Sequence, residues 1–229
     1  MAHDFNAASF ALRTQMRLQG HQISLGHAQQ LLAAALGYKS LASMQHSLQR
    51  RSVLQLAQIV VIDGSCLAAR CDSLKLLHAA VAIDKTIVSV LRSDPDAPLV
   101  LQGWDDFLDD YLVPAIAAEC LDTEGVYSAA AETNADFDEA EIEITGYSRP
   151  AKQTSSLPES IALSPCGQFL VIPFVGTLIG DQHEDRSYSG HVIDIHGTAK
   201  LELVDRRCLL KNIELDVGAR VQEQEVTEE

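Results

Sequence analysis

The stretch ISLGHAQQLLAAALGYKSLASMQ, residues 23–45, predicts two helices joined by a short glycine turn. Ser24 is a suitable N-cap for the first of these helices, whose apolar residues recur at helical spacing as far as Leu36. Gly37 follows directly, and glycine is the residue that most often ends a helix. Ser40 then caps the second helix of the stretch, which presents a short apolar stripe. That stripe consists of Leu41, Met44 and Leu48.

A further helix is predicted upstream, over residues 4–19, because apolar residues recur there every three or four positions and Gly20 follows as a stop. Three short helices in this order are the plan of a helix-turn-helix domain. The match is partial, since Ser43 occupies the position where the third helix of that motif buries an apolar side chain. We therefore interpret residues 1–52 as a three-helix, helix-turn-helix-like domain.

This helical head is basic, whereas the rest of the chain is acidic. Residues 1–52 contain a single acid, Asp4, and have a net charge of +4, while the remaining residues sum to −19. A basic helical surface neutralises phosphates or attracts an acidic protein. We therefore predict a non-enzymatic binding or regulatory protein whose head contacts nucleic acid or an acidic partner. The alternative is a docking domain with merely solvated arginines. The cations concerned are Arg13, Arg17, Lys39, Arg50 and Arg51.

Part of the head resembles the small N-terminal helical domain of the glyoxalase-related type found in uncharacterised bacterial proteins. The residues that carry the resemblance are Ser24, the pair Leu32-Ala33 and the triplet Leu36-Gly37-Tyr38, within about residues 23–48. Leu41 stands where that family often has an aromatic residue. The resemblance implies a bacterial accessory protein, and it implies neither a reaction nor a set of metal ligands.

The middle of the chain is strongly acidic. Residues 93–148 contain 15 acids and no Lys or Arg. Within them the apolar residues from Trp104 to Leu112 fall at helical spacing, and Pro114 predicts a kink or a fresh helical start. The acidic face of this helix has two interpretations, a solvated surface or a decoy that imitates phosphate and binds a basic protein or a second copy's head. The face consists of Asp105, Asp106, Asp109 and Asp110.

The remaining pattern predicts an α+β fold, with the head followed by an α+β body over 53–220 and a frayed acidic tail over 221–229. Residues 56–62 favour a buried strand and residues 72–91 a helix. Beyond about residue 139 the apolar period changes to two, which indicates an antiparallel β-meander or small barrel. The predicted strands are 139–145, 161–163, 168–179, 190–197, 200–206 and 208–215, with a loop at 148–159 and a turn at 164–167.

Two short segments contain residue types used in catalysis. The segment Gly180 to His196 holds His183 and His191, for which we consider a metal-dependent enzyme as a second alternative and a polar surface loop as the plainer interpretation. The segment Asp63-Gly-Ser-Cys66 places a hydroxyl beside a thiol, yet no base is linked to it by sequence, so a turn is the simpler interpretation.

Composition places the chain among cytoplasmic globular proteins. Neither a leader peptide nor an apolar run long enough to cross a bilayer occurs in the sequence, so we expect no membrane association. Five scattered cysteines favour reduced thiols over a disulfide framework. We predict no cofactor, and the partners that the charge pattern allows are a nucleic acid, another protein or a second copy of the chain.

Overall fold

The structure is a computed structural model that describes residues 4–46, 53–93, 95–133, 135–137, 140–147, 168–180 and 192–222. It confirms the α+β class. The helices are α1 (Phe5–Leu18), α2 (Leu25–Ala35), α3 (Leu41–His46), α4 (Val53–Leu56), α5 (Gly64–Ser73), α6 (Ala80–Leu91), α7 (Trp104–Asp106), α8 (Val113–Cys120) and α9 (Glu124–Ala131), with a 3₁₀ turn at Leu77–Ala79 and a π-helical segment at Phe107–Leu112. The strands are β1 (Ile59–Val61), β2 (Leu99–Leu101), β3 (Ile142–Tyr147), β4 (Gln168–Ile179), β5 (Val192–Asp205) and β6 (Cys208–Val221).

The chain divides into two compact units. The first unit comprises Met1–Phe107, Gln153–Phe169 and Leu201–Asn212, and the second comprises Leu108–Lys152, Leu170–Lys200 and Ile213–Glu229. The predicted domain boundary at residue 52 therefore falls inside the first unit. Independent folding of residues 1–52 and of the 53–220 body stays a prediction.

Local signals specify the first two helices. Asp4 caps α1, and the Ser24 hydroxyl accepts the His27 backbone N–H at 3.1 Å at the start of α2. Gly37 follows the end of α2 with φ of +80°, a conformation that glycine adopts without steric penalty. The predicted cap at Ser24 and the predicted glycine end of α2 are confirmed, because each depends on contacts between residues close in sequence.

Ser43 has a structural role at the start of the third helix that an apolar side chain could not fill. The Ser43 backbone N–H donates to the Ser40 hydroxyl at 3.0 Å, and the Ser40 N–H donates to the Ser43 hydroxyl at 3.1 Å. This reciprocal arrangement is a capping box with serine in the place of the usual Glu or Gln. Ser43 thus stabilises the start of α3, and Met44 supplies its buried apolar contact.

The core of the first unit extends across residue 52. Helix α2 packs against α1 and α5, and α1 also packs against α6. Residues Leu31 to Leu36 are all buried, so α2 lies inside the unit rather than on its surface. One apolar cluster joins Leu12 and Met16 with Ile83 and Ile87. The helices of the head are therefore packed on the helices that follow them.

The segment 72–91 differs from its prediction as a single helix. Helix α5 ends at Ser73, Lys75 adopts φ of +58°, and a 3₁₀ turn precedes α6. A residue with that φ cannot continue an α-helix, so two helices form where one was expected. The predicted buried strand is confirmed in a shortened form, as β1, all three residues of which are buried.

The fresh helical start considered for Pro114 is not observed, because the chain stays helical through it from Trp104 to Cys120. What changes there is the hydrogen-bonding pattern: Phe107–Leu112 is π-helical, and α8 begins at Val113 with proline in its first turn. Proline cannot donate a backbone hydrogen bond, so it lies where the helix departs from the regular α pattern.

The strands form a mixed sheet in the order β2-β1-β6-β5-β4-β3. The pairs β1–β6 and β3–β4 are antiparallel, and the sequential order β3 to β6 agrees with the predicted meander. The pair β1–β2 is parallel, so the sheet as a whole is mixed, and the predicted meander forms its C-terminal part. The first unit holds β1, β2 and the parts of β5 and β6 that flank their turn, and the second holds β3, nearly all of β4 and the distal parts of β5 and β6.

The predicted break between strands near residue 198 is wrong. Strand β5 runs without interruption for 14 residues and includes Gly197. A Cβ at this position would lie 2.4 Å from the Asp216 carbonyl oxygen and 2.8 Å from the Phe174 ring, so the glycine allows a close approach inside a continuous strand. Strand β3 begins at Ile142 rather than at residue 139.

Several predictions lie outside the described residues. These are the loop at 148–159, the strand at 161–163, the turn at 164–167 and the tail beyond residue 222. Of the five cysteines, the four that the structure describes are free thiols. No helix within the described ranges has the length and apolar character needed to cross a bilayer.

Candidate binding sites in the first unit

A buried ion pair anchors the start of α5. The Arg207 guanidinium Nη2 lies 2.6 Å from Asp63 Oδ2, and the two side chains are 15% and 2% exposed. Asp63 Oδ1 also accepts the Cys66 backbone N–H at 2.9 Å and the Ser65 hydroxyl at 2.7 Å. Asp63 is therefore the N-cap of α5, which corrects the interpretation of this segment as a plain turn.

The environment of Asp63 keeps its carboxylate ionised. Burial by itself would raise the pKa of Asp63, but the Arg207 charge and the hydrogen bonds from Cys66, Ser65 and Arg207 outweigh it and lower the pKa below its usual value. The Arg207 guanidinium also lies over the Trp104 ring, with its carbon 5.0 Å from the ring centroid. Arg207 thus joins the β5–β6 turn to α5 and to the start of α7.

A second set of contacts joins the β5–β6 turn to the α2–α3 turn. Arg206 Nη1 donates to the Gly37 carbonyl oxygen at 3.2 Å, and its guanidinium lies 5.0 Å over the Tyr38 ring. The Tyr38 hydroxyl donates to Asp205. Burial raises the pKa of Asp205, and the nearby Arg206 charge and backbone N–H reduce that rise. Together these contacts hold the Tyr38 side chain in one position.

An open cleft of about 500 Å³ lies between the α2–α3 turn and one face of α5. The Arg70 guanidinium donates to the Lys39 carbonyl oxygen across it, which ties the turn to the helix. Two of the lining side chains are cations and none is a carboxylate. The lining residues are Tyr38, Lys39, Ser65, Cys66, Ala69, Arg70 and Ser73.

The hydroxyl and thiol groups of the cleft are not arranged for nucleophilic catalysis. The Ser65 hydroxyl donates to a carboxylate whose pKa is lowered, so Asp63 is a weak base toward it. Burial and the Asp63 charge raise the pKa of the Cys66 thiol, which keeps it protonated. The Ser73 hydroxyl donates to the Arg70 carbonyl oxygen of its own helix. The geometry therefore favours binding over bond making.

Of the five basic residues predicted from sequence, the structure describes three, and only one of these lines the cleft. Lys39 lines the cleft, whereas Arg13 and Arg17 belong to α1 and are not among the residues that line it. Arg50 and Arg51 lie outside the described residues. The cleft pairs Lys39 with Arg70, which the charge count of residues 1–52 missed because Arg70 follows that segment. The sequence did contain a signal for this side of the cleft. Ser65, Ala69 and Ser73 are spaced four residues apart and therefore lie on one face of a helix, beside Arg70.

The outer face of α1 combines cations with exposed apolar side chains. Phe10 is 58% exposed and Leu18 is 83% exposed. The Arg13 guanidinium lies 5.9 Å over the Phe10 ring, and Arg17 is exposed. Neither arginine forms an ion pair within the described part of the chain. Helix α1 contains no acid at all.

Two of the four aspartates of the predicted acidic face hold the fold together. Asp106 accepts the Gln102 backbone N–H at 3.2 Å, and Asp109 accepts the Tyr147 hydroxyl. Asp105 and Asp110 are exposed on the same helical segment. Use of this face as a decoy stays a prediction, with part of its charge already engaged in structural hydrogen bonds.

His183 and His191, the candidate metal ligands, lie outside the described residues. A metal site at this histidine segment therefore stays a prediction. Among the residues that are described, no group of three or more His, Cys, Asp or Glu side chains is placed to hold a metal ion. In the described part of that segment, Asp194 accepts a hydrogen bond from Gln222 at 2.7 Å.

No protein-family model matches the chain, and no curated protein or solved structure is significantly similar to it. The resemblance of residues 23–48 to a glyoxalase-related domain accordingly stays a prediction.

Proposed function

We propose that the protein is a non-enzymatic binding protein and that the outer face of α1 binds an acidic partner protein. The observation that carries this proposal is the composition of that face, on which Phe10 and Leu18 are exposed beside Arg13 and Arg17 with no carboxylate on the helix. Arginine and aromatic side chains are enriched in the centres of protein interfaces.

The exposed apolar side chains favour a protein partner over nucleic acid. A sugar-phosphate backbone offers charge to arginines but no apolar surface to cover a leucine that is 83% exposed. Charge complementarity selects an acidic partner, because two arginines that pair with no carboxylate among the described residues can attract one from another protein.

The competing helix-turn-helix mode has less support among the described residues. In that mode the third helix enters the groove of the nucleic acid. Helix α3 presents Ala42, Gln45 and His46 as exposed side chains and carries no Lys or Arg within Leu41–His46.

The test uses the full chain, bound to a matrix, and extract from its source cells. The variant Arg13→Glu/Arg17→Glu should lose a captured acidic protein, because each charge reversal replaces attraction by repulsion. Lys85→Glu is the matched control, since Lys85 is an exposed lysine on α6 of the same unit. Circular dichroism confirms that the variants keep the wild-type helical content.

Capture alone does not suffice, so the purified partner is then tested by charge swapping. Replacing a carboxylate of the partner by lysine should restore binding to the double variant and weaken binding to the wild type. Equal capture by all variants, or no captured protein, overturns the α1 proposal. Salt-dependent binding of a DNA or RNA duplex that disappears in the double variant overturns the protein-partner choice in favour of nucleic acid.

A further inference from the structure

We propose that the cleft between the α2–α3 turn and α5 binds a small organic anion, whose phosphate or carboxylate head is held by Lys39 and Arg70. This site is separate from the α1 face and rests on different residues.

The charge of the cleft is opposite to that of the chain. The protein has a formal net charge of −15, yet the cleft lining contains two cations and no carboxylate. Two acids contact lining side chains and both are already engaged: Asp63 is paired with Arg207 and bonded to Ser65, and Asp205 accepts the Tyr38 hydroxyl. A concave site lined by one sign of charge concentrates ligands of the opposite sign.

The geometry of Arg70 suits it to grip an oxyanion. Its guanidinium donates to the Lys39 carbonyl oxygen, which positions the group at the cleft and uses one of its five N–H donors. The planar guanidinium binds carboxylate and phosphate oxygens with two parallel hydrogen bonds, and a neighbouring ammonium adds a point charge. Lys39 is exposed and supplies that ammonium.

The dimensions of the cleft indicate a small molecule. A volume of about 500 Å³ lies within the range of ligand and cofactor sites. The exposed Ala69 side chain provides apolar surface for the body of such a ligand beside the two cations, above the buried edge of Tyr38. An inorganic ion would leave this surface uncovered, so an organic anion fits the lining better.

The walls of the cleft are fixed before any ligand binds. Tyr38 is held by Asp205 and Arg206, and the α5 start is held by the pair of Asp63 with Arg207. A preformed site loses less conformational entropy when the ligand binds.

The test titrates the full-length protein with phenyl phosphate, benzoate and benzyl alcohol, which share an aromatic body and differ in charge. Calorimetry measures affinity, and the backbone amide shifts of Ser65 and Ala69 report the place of binding. We expect at least one of the two anions to bind and to shift these amides, and benzyl alcohol to bind at least about tenfold more weakly than that anion. The order of affinities of phenyl phosphate and benzoate identifies the head group.

The variants Lys39→Gln and Arg70→Gln should each weaken binding of the anion by about tenfold or more. Lys39→Gln alters an exposed side chain and keeps the Arg70 contact with the backbone, so it remains informative if Arg70→Gln disturbs the turn. Lys85→Gln and Arg17→Gln are matched controls outside the cleft, and they should bind the anion as the wild type does. Retained binding by Arg17→Gln separates this site from the α1 face.

Three results overturn the proposal. The first is that neither anion binds the wild type at millimolar concentration. The second is that benzyl alcohol binds as tightly as the anions, which indicates a purely apolar site. The third is that Lys85→Gln loses as much affinity as Lys39→Gln, which indicates non-specific charge attraction.

Discussion

The two compact units differ sharply in how they handle charge. The first unit contains 12 Lys and Arg against 11 Asp and Glu, whereas the second contains 5 against 21. In the first unit, Asp63 and Asp205 are enclosed and contact Arg207, Arg206 or Tyr38. In the second unit, Glu143 of β3 and Glu141 just before this strand flank the buried Ile142, and both are exposed.

This difference shows that the basic character of residues 1–52 does not describe the unit to which they belong. The residues that join the head in the first unit contain 7 Lys and Arg against 10 Asp and Glu, which reduces the net charge from +4 to +1. Acidic charge in the first unit thus includes buried ion-pair partners, whereas Glu141 and Glu143 of the second contribute surface potential. The predictions below test that contrast, from the largest expected effect to the smallest.

Removing Asp63 should damage the first unit most. Asp63→Ala leaves Arg207 without its carboxylate and deletes the cap of α5, so we expect a loss of about 3–5 kcal/mol in the free energy of unfolding. Urea unfolding followed by fluorescence measures it, because Trp104 is the only tryptophan and contacts Arg207. Asp63→Asn is the control, since it keeps an acceptor for the cap and loses only the charge. A loss below about 1 kcal/mol in the alanine variant, as at an exposed pair, contradicts this contrast.

In the second unit, the larger loss of stability should come from a steric change in the sheet rather than from the removal of a charge. Gly197→Ala forces a Cβ to within 2.4 Å of the Asp216 carbonyl oxygen, so we expect a loss of about 1–3 kcal/mol from overpacking. Hydrogen exchange of the β4 amides measures it. Gly26→Ala in α2 is the open-space control, because the nearest atom to its Cβ is 3.9 Å away. Equal losses for the two variants would show that steric space does not decide the result.

The stability of the first unit should depend on acid pH through carboxyl groups of opposite sign, of which Asp63 and Asp205 are the two that make the contacts described above. The pKa of Asp63 is lowered by folding, so its contribution is present above its unfolded value near 3.8 and is lost as the pH falls through the folded pKa. The pKa of Asp205 is raised, so its folded state favours the proton and stability is lost as the pH rises from 3.8 through the folded pKa.

Urea titrations at a series of pH values separate the two groups. Asp63→Asn should reduce the loss of stability at the acid end. Asp205→Asn should reduce the loss on the alkaline side of pH 3.8, which Asp84 shares because burial raises its pKa as well. An unchanged pH profile in either variant would assign that part of the dependence to other groups.

Added salt should change the local stability of the two units differently, by less than the substitutions above. Repulsion among the surplus carboxylates destabilises the second unit, and added salt screens it, so the opening free energies of its amides should rise by a few tenths of a kcal/mol to about 1 kcal/mol. The near-neutral first unit should respond less, and its buried pair is poorly screened. Hydrogen exchange at low and high sodium chloride compares both units in one sample. A larger response in the first unit would refute the contrast.

The elements that the sequence predicted well depend on neighbours along the chain. The cap at Ser24 and the glycine after α2 involve residues within a few positions, and so do the apolar stripes of α1 and α6. The errors have physical causes of longer range. Gly197 resembled a strand end because glycine usually marks a turn, yet its role is to admit the Asp216 backbone and the Phe174 ring from neighbouring strands.

The candidate sites divide in the same way. The outer face of α1 follows from helical spacing alone, since a helix that buries Leu12 and Met16 must expose Phe10 and Arg17. The cleft does not follow from spacing, because Lys39 and Arg70 are 31 residues apart and Asp63 and Arg207 are 144 apart.

The amino-acid sequence by itself determined the α+β class, the caps of α2 and α3, the basic head and the acidic middle. These properties depend on composition and on contacts between near neighbours, which each segment carries with it. Only the tertiary structure decided that Lys39 meets Arg70 beside a protonated thiol, that Arg207 returns to Asp63, and that α2 is buried among α1 and α5. Such contacts arise when apolar faces from distant segments pack together, and local spacing does not specify which faces will meet.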